Sequence, residues 1–135
     1  MSEVAAPAPV EERRAGVLAV DDHPSFRALL NDLVERTSHL QIVGEADSGE
    51  GAVALAAQIR PEIVLMDVRM PGLGGIEAGR RIKAVLPDTL LILISTTRPD
   101  ELGPDVNEVH ADAVVWKSEL HPVWLDELWR RHRSP

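Results

Sequence analysis

Short apolar runs alternate with longer segments of mixed polarity along most of this chain. The runs have the length and composition of buried β-strands, and they cover residues 17–20, 40–43, 63–66, 90–94 and 113–116. In the segments that follow them, apolar residues recur every three or four positions, which is the spacing of one face of an α-helix. Five such strand–helix units in series predict a parallel sheet with helices on both faces.

Prolines and one serine mark the expected ends of three helices. Pro24 falls at the start of the first helix, in the first turn, where proline is favoured. Ser48 is a candidate N-cap for the second helix, because its side chain can accept a hydrogen bond from the first turn. Pro61 and Pro87 follow the second and third helices, at the place where proline commonly comes after a helix end.

The last two helical segments differ in strength. The segment 98–110 is a weak helix prediction because Gly103-Pro104 interrupts it, and both residue types disfavour a helix interior. A stronger helix is predicted from Pro122 to about His132. The first, third and fourth apolar runs are nearly free of polar residues, as strands buried on both faces are. We therefore predict a doubly wound, five-stranded parallel sheet with the flavodoxin-like order 2-1-3-4-5.

Composition narrows the class of protein. A chain of 135 residues that is 44% hydrophobic can bury the core of one domain but is too short for two. Its formal net charge of −8 argues against non-specific nucleic-acid binding, which depends on Lys and Arg neutralising phosphates. The absence of cysteine excludes a disulfide framework, a thiolate metal site and a cysteine nucleophile. It also fits a reducing cytoplasm, where we expect the protein to act.

The predicted domain occupies residues 15–133, and residues 1–14 are expected to form a disordered leader. The N-terminal residues lack the basic and apolar regions of a secretory signal. No apolar run is long enough to cross a bilayer, so no membrane association is expected. No long linker follows the fifth helix, and a second folded domain is therefore not expected in this chain.

Polar residues that can carry chemistry follow four of the five apolar runs. Asp21 and Asp22 end the first run, Asp67 ends the third, Ser95 the fourth and Lys117 the fifth. In a doubly wound parallel sheet, the binding crevice lies outside the carboxyl ends of the strands. The predicted strand order therefore places these side chains at one edge of the sheet, around the switch point between the first and third strands.

Three carboxylates at one edge repel each other, and a hard cation with oxygen ligands relieves that repulsion. Mg²⁺ typically takes one or two carboxylates together with waters and phosphate oxygens. Asp22 and Asp67 are therefore candidate Mg²⁺ ligands, and Asp21 would act directly or through a water. A backbone carbonyl near Arg69 could complete the ligands that the protein provides.

The same edge can support phosphoryl transfer. A carboxylate such as that of Asp67 can act as a nucleophile toward phosphorus and form an acyl phosphate. Mg²⁺ and Lys117 would stabilise the charge on the oxygens of the transferring group. The Ser95 hydroxyl could donate a hydrogen bond to one of those oxygens.

Each of these residues also has a purely structural interpretation when it is taken singly. Asp21-Asp22 could cap the first helix, because aspartate is a favoured N-cap. Asp67 could be a turn residue before Pro71. Ser95 could be an ordinary hydroxyl at a strand end, and Lys117 an ordinary surface lysine. The functional interpretation depends on all of them meeting at one edge.

Histidine and tryptophan are the other residue types considered for function. The histidines show no metal-ligand spacing and are expected at the surface or at helix ends: His23, His39, His110, His121 and His132. The three tryptophans all fall in the last twenty residues and either fill the core or form a partner-binding face: Trp116, Trp124 and Trp129.

Four motifs in this order resemble those of response-regulator receiver domains, from about residue 16 to residue 132. They are DDHP after the first strand, MDVRMPGLGG after the third, Ser95 at the end of the fourth and WKSEL after the fifth. The DDHP opening is most similar to the branch of receivers that often precedes helix-turn-helix output domains.

The resemblance implies a role for each matching residue. Asp67 would be the phosphoacceptor, and Asp21 and Asp22 the acidic pair of a Mg²⁺ site. Ser95 would be the switch hydroxyl and Lys117 the lysine that contacts the phosphoryl group. A histidine kinase would be the phosphoryl donor. The output would be contact with a downstream protein or self-association, with no chemistry beyond the domain's own phosphorylation and dephosphorylation.

The chain departs from the family pattern in four places. Val114 occupies the position of the aromatic residue that swings inward on activation, and Thr96 a position usually given to a smaller residue. Ser118 replaces the proline that often follows the lysine, and Gly103-Pro104 interrupts the fourth helix. Arg69 and Thr97 fall at the two positions where the family tunes its dephosphorylation rate: two residues after Asp67 and two after Ser95.

These departures keep a second function open, a degenerate receiver that acts as a phosphorylation-independent interaction scaffold. A phosphatase of the haloacid-dehalogenase type also uses an aspartate at a strand end. That family requires a second aspartate two residues later, where this chain has Arg69. A DNA-binding transcription factor would need a helix-turn-helix region, which the chain as given lacks.

Overall fold

One parallel sheet forms the centre of the molecule. The computed structural model describes residues 13–104 and 111–134. Within these residues, five strands lie in the order β2-β1-β3-β4-β5, and every neighbouring pair is parallel. The flavodoxin-like order predicted from the sequence is therefore confirmed. The strands are β1 (Ala15–Val20), β2 (Leu40–Ala46), β3 (Ile63–Asp67), β4 (Leu90–Ser95) and β5 (Ala113–Trp116).

Helices cover both faces of the sheet, as the strand–helix pattern predicts. The α-helices of the described residues are α1 (Pro24–Arg36), α2 (Gly49–Ile59), α3 (Gly74–Val85) and α4 (Pro122–Arg133). Apolar residues of α2 and α3 pack on one face of the central strands, and those of α1 and α4 pack on the other. The sheet therefore lies between two helical layers, with core on each side.

Burial separates the central strands from the edge strands. Every residue of β1, β3 and β4 is buried, which confirms the prediction drawn from their continuous apolar runs. In β2, buried or half-buried residues alternate with exposed ones, as in a strand at the edge of a sheet. The polar residues that follow the central strands are therefore held on the best-packed part of the fold.

The helix boundaries follow the residues that were expected to set them. Ser48 caps α2, because its Oγ accepts a hydrogen bond from the backbone N–H of Gly51 at 3.0 Å. Pro24 lies in the first turn of α1. At the other end of α2, Arg60 has a left-handed backbone with φ of 48°, and Pro61 follows.

The weak helix predicted over 98–110 is only partly described. Residues 105–110 lie outside the described residues. Before them, a 3₁₀ turn at Pro99–Glu101 replaces the expected start of an α-helix. The physical reason lies in the sequence, because Pro104 has no N–H to donate to the carbonyl of Asp100, and Gly103 weakens a helix further.

Most of the predicted leader, residues 1–12, also lies outside the described residues. Arg14 is the last residue of the predicted leader and is described. Its Nη1 donates a hydrogen bond to the carbonyl oxygen of Leu40 at 2.8 Å, which attaches it to the fold. None of the helices in the described part of the chain has the length and hydropathy needed to cross a bilayer.

Candidate functional site

Side chains at the ends of β1, β3 and β5 meet at the carboxyl edge of the sheet. The Lys117 Nζ lies 3.7 Å from Oδ2 of Asp21 and 3.9 Å from Oδ2 of Asp67. Asp21 is fully buried and Asp67 is 3% exposed. Both distances exceed the usual hydrogen-bond range, so the contacts are electrostatic. The interpretation of Lys117 as an ordinary surface lysine is therefore wrong.

Four side chains at this edge could hold a metal ion. Each of Asp21, Asp22, His23 and Asp67 offers one ligand atom, and these atoms all lie within 4.8 Å of one another. His23 Nδ1 is 3.1 Å from Oδ1 of Asp21 and 3.1 Å from Oδ1 of Asp22. The surface position predicted for His23 is confirmed, because its side chain is 66% exposed. The contact of His23 with the two carboxylates was not predicted, and its only signal in the sequence is adjacency to Asp21-Asp22.

The acidic pair does not cap the first helix. The N-cap position of α1 is His23, and its side chain makes no capping hydrogen bond there. Asp21 Oδ1 instead accepts a hydrogen bond from the backbone N–H of His23 at 2.8 Å. The carbonyl oxygen of Asp21 accepts another from Arg27 Nη1 at 2.7 Å. These bonds fix the turn between β1 and α1, and the structural interpretation of the pair as a helix cap is excluded.

Two buried carboxylate oxygens at the site have unused capacity for a cation. No hydrogen bond from a described residue is assigned to Asp21 Oδ2 or Asp22 Oδ1, although Lys117 Nζ lies 3.7 Å from the first and His23 Nδ1 lies 3.1 Å from the second. A buried carboxylate oxygen without a donor is costly unless a positive charge compensates it. Oxygen donors from aspartate are the ligands that Mg²⁺ and other hard divalent cations prefer. The donor set present at this edge therefore fits a hard cation.

Asp67 is held in an environment that disfavours its charge. The pKa of Asp67 is raised to about 6, mainly by burial and also by the neighbouring Asp21. The backbone N–H of Arg69, which donates to Asp67 Oδ1 at 3.0 Å, and the Lys117 ammonium act in the opposite direction. A cation bound at the site would favour the ionised carboxylate.

The loop after β3 packs tightly against the end of that strand. A Cβ placed on Gly75 would lie 2.0 Å from the carbonyl oxygen of Asp67, so no side chain fits at this position. Gly72 and Gly74 have φ of 75° and 77°, a region that L side chains rarely adopt. The sequence predicted a turn at MPGLGG but not this close approach, which fixes the start of α3 against Asp67.

Ser95 ends β4 at the same edge. Its neighbour Ile94 is paired in register with Asp67, and Ser95 is buried. Its Oγ accepts a hydrogen bond from the backbone N–H of Thr97 at 3.0 Å and lies 3.0 Å from the Thr97 hydroxyl. The structure therefore places Ser95 one residue beyond the register partner of Asp67, with Thr97 as its hydrogen-bond partner.

A further contact at the site was not predicted. The Lys117 Nζ lies 3.8 Å from the centroid of the Phe26 ring, within the range of a cation–π interaction. The helical spacing of apolar residues predicts Phe26 on the apolar face of α1. Its packing against the core confirms that assignment, but the contact with Lys117 depends on the tertiary structure.

The three tryptophans do not share one environment. Trp124 and Trp129 are half-buried and pack against the core between α4 and the sheet, as the core-filling interpretation predicts. Trp116 instead donates a hydrogen bond from Nε1 to the carbonyl oxygen of Thr96 at 3.1 Å, and the Arg98 guanidinium lies 5.3 Å from its ring centroid. A partner-binding function of these tryptophans stays a prediction.

The fold and this edge together define a receiver-type domain, with a doubly wound sheet, a buried acidic cluster and a lysine at the carboxyl ends of the strands. The sequence model of the response regulator receiver domain matches residues 17–126. The chain belongs to this family and is a receiver domain of a two-component response regulator, which is a signalling domain. The resemblance drawn from the four motifs is confirmed.

Curated relatives agree with this assignment. The response regulator GacA of Pseudomonas aeruginosa is 40% identical over 84 residues, which are 62% of this chain and 39% of GacA. The transcriptional regulatory protein YdfI of Bacillus subtilis is 43% identical over 101 residues, 75% of this chain and 47% of YdfI. The chain therefore spans less than half the length of these relatives.

Solved structures show the same fold. A two-component response regulator of the LuxR family from Aurantimonas has a TM-score of 0.75 and 32% identity, covering 84% of this chain and 81% of that one. The response regulator domain of Thermotoga maritima CheB has a TM-score of 0.78 and 27% identity, covering 91% and 99%. The LuxR-family match agrees with the predicted likeness to receivers that precede helix-turn-helix domains.

Proposed function

We propose that this domain is a phosphorylation-controlled signalling module in which Asp67 accepts a phosphoryl group from a histidine kinase. The observation that carries the proposal is the convergence of Asp67 with Lys117 and Asp21. The Lys117 ammonium lies within 3.9 Å of both carboxylates. A nucleophilic carboxylate, a fixed cation and an acidic cluster that fits a metal are what phosphoryl transfer to aspartate requires.

In the proposed step, a carboxylate oxygen of Asp67 attacks the phosphorus of a phosphohistidine. The new O–P bond forms as the P–N bond breaks, and the imidazole leaves with the bonding pair and takes up a proton. Lys117 interacts with an oxygen of the transferring group and offsets its charge.

A Mg²⁺ ion would be held by Asp21, Asp22 and Asp67 together with the backbone carbonyl of Arg69. When bound, this ion neutralises charge on the phosphoryl oxygens. The orientation of the Asp67 carboxylate is set by a neighbouring backbone group. The backbone N–H of Arg69 fixes one oxygen of Asp67 at 3.0 Å, so the carboxylate keeps one orientation.

Ser95 connects phosphorylation to the rest of the domain. Its hydroxyl now contacts Thr97, and it would exchange that partner for a phosphoryl oxygen. This exchange would release the backbone that follows β4 and shift the segment toward a second conformation. The altered surface would then bind a downstream protein or a second copy of the domain.

Intact-mass measurement tests the proposal. We expect the chain incubated with Mg²⁺ and acetyl phosphate to gain the mass of one phosphoryl group. The variant Asp67→Asn is the matched control and should gain none. A wild-type chain that stays unmodified, or an equal gain in the variant, would refute Asp67 as the acceptor.

A phosphorylation-independent scaffold is the second candidate. Val114 favours it, because this residue occupies the place of the family's switch aromatic and packs against the core under α2 and α3. On this hypothesis, Mg²⁺ with beryllofluoride would leave the affinity for a partner unchanged. A clear change in affinity would favour the phosphorylation-controlled module.

A further inference from the structure

Three groups surround the ammonium of Lys117. Two are the carboxylates of Asp21 and Asp67, at 3.7 and 3.9 Å. The third is the ring of Phe26, whose centroid lies at 3.8 Å. Since both carboxylates lie beyond the usual hydrogen-bond distance, the ring is as close a neighbour of this ammonium as either anion.

An aromatic ring differs from a carboxylate in how it holds a cation. The attraction comes from the negative face of the ring, which has no lone pair to accept a directed hydrogen bond. Lys117 therefore keeps its three N–H donors available for oxygen acceptors while its position is fixed. A third carboxylate in the same place would compete with an incoming phosphoryl group for those donors.

The ring of Phe26 is half-buried. It packs against the core that α1 and α4 share with the sheet. With Lys117 it also lines a groove of about 210 Å³ between α1 and the segment after β5; the other residues of this groove are Leu29, Leu30, Leu33 and Leu120. The lysine side chain carries large rotamer entropy on its own, so a fixed ring restricts a group that would otherwise sample many positions.

We propose that Phe26 is a positioning residue for phosphorylation, which holds the Lys117 ammonium where the transferring phosphoryl group needs it. This inference rests on the proposed function. Phe26 acts through Lys117 and not through contact with the reacting atoms.

Substitution of Phe26 tests the inference through the rate of phosphorylation. Phe26→Leu removes the aromatic face but keeps an apolar side chain, and we expect phosphorylation by acetyl phosphate to slow by about three- to tenfold. Phe26→Tyr keeps the face and should stay within about twofold of the wild type. Leu29→Ala is the matched control, because Leu29 lines the same groove but is 61% exposed, and its rate should not change.

A spectroscopic measurement separates positioning from packing. Phe26 is the only phenylalanine, and the chain has no tyrosine. We expect the ε-methylene protons of Lys117 to be shifted upfield by the ring current in wild type and in Phe26→Tyr. In Phe26→Leu this shift should be lost while the amide spectrum of the core stays in place. Phe26→Met replaces the leucine variant if that variant does not fold.

Either of two rate measurements would overturn the inference: an unchanged rate in the leucine or methionine variant, or a folded Phe26→Tyr variant as slow as the leucine variant. Failure of the proposed function looks different, because the wild type would then take up no phosphoryl group. In that case the ring-current shift of the Lys117 protons decides whether Phe26 positions the ammonium. A wild-type protein that lacks this shift would refute the positioning role of Phe26.

Discussion

At the residue scale, Asp67 combines burial with a proposed role that requires a charged carboxylate. Its raised pKa of about 6 means that the folded protein binds a proton more tightly there than the unfolded chain does. The resulting stability is fully present below the unfolded pKa of 3.8 and is lost as the pH rises through about 6. The metal-free site is therefore least favourable near neutral pH, where a bound cation would contribute most.

The first prediction follows from this loss of stability with rising pH. In the presence of EDTA, we expect the free energy of unfolding of the wild type to fall relative to Asp67→Asn between pH 4 and pH 7. The difference should reach about 3 kcal/mol at most. Urea denaturation over a pH series measures it, and adding Mg²⁺ at pH 7 should restore the wild type alone. Parallel pH profiles of the free energy of unfolding in the two proteins would show that ionisation of Asp67 does not destabilise the fold.

The second prediction concerns the acidic pair. Asp22→Asn removes a charge from a cluster that contains a buried oxygen without a donor, and we expect the affinity for Mg²⁺ to fall by at least about tenfold. Isothermal titration calorimetry measures the affinity directly. Asp32→Asn is the control, since this aspartate on α1 pairs with Arg36 at the surface. Equal affinities in all three proteins would place the ion elsewhere.

At the element scale, the start of α3 is locked against the end of β3 by the missing side chain of Gly75. Gly75→Ala would place a methyl group 2.0 Å from the Asp67 carbonyl oxygen, so strand and helix must separate. We expect a loss of about 2 kcal/mol or more in the free energy of unfolding. Gly103→Ala is the control, because no described atom lies within 4 Å of a Cβ added there. Equal free energies of unfolding for the two variants in urea denaturation would contradict this close packing.

The end of β4 carries the fourth prediction. Ser95→Ala leaves the carboxylates and Lys117 unchanged, so phosphorylation should persist at a comparable extent. The hydroxyl that would link the phosphoryl group to the segment after β4 is removed. We expect beryllofluoride to cause smaller amide shifts over residues 96–104 in this variant than in the wild type, by heteronuclear NMR. Shifts of wild-type size would mean that the signal takes another route.

At the scale of the whole molecule, the burial pattern explains why the sheet could be predicted. The central strands are buried on both faces, so their sequences are uninterrupted apolar runs. The edge strand β2 was predicted only to Val43 but continues to Ala46. Beyond Val43, inward and outward residues alternate and include Glu45, so the apolar run ends before the strand does.

The site could be predicted only as far as it depends on strand ends. Parallel strands bring their carboxyl ends to one edge, and Asp21, Asp67 and Lys117 followed from this rule. His23, Phe26 and Gly75 did not, because their contacts depend on how α1 and α3 pack against those ends. Such contacts arise from tertiary geometry and leave no periodic pattern in the sequence.

Asp67 is the residue proposed to take the phosphoryl group. Borohydride reduction tests this role most directly, because it converts an aspartyl phosphate into homoserine, which peptide mass spectrometry locates in the chain. After incubation with Mg²⁺ and acetyl phosphate, we predict homoserine at position 67, and none when EDTA replaces Mg²⁺. Homoserine in place of another aspartate, or a folded wild-type protein without homoserine, would show that Asp67 is not the acceptor.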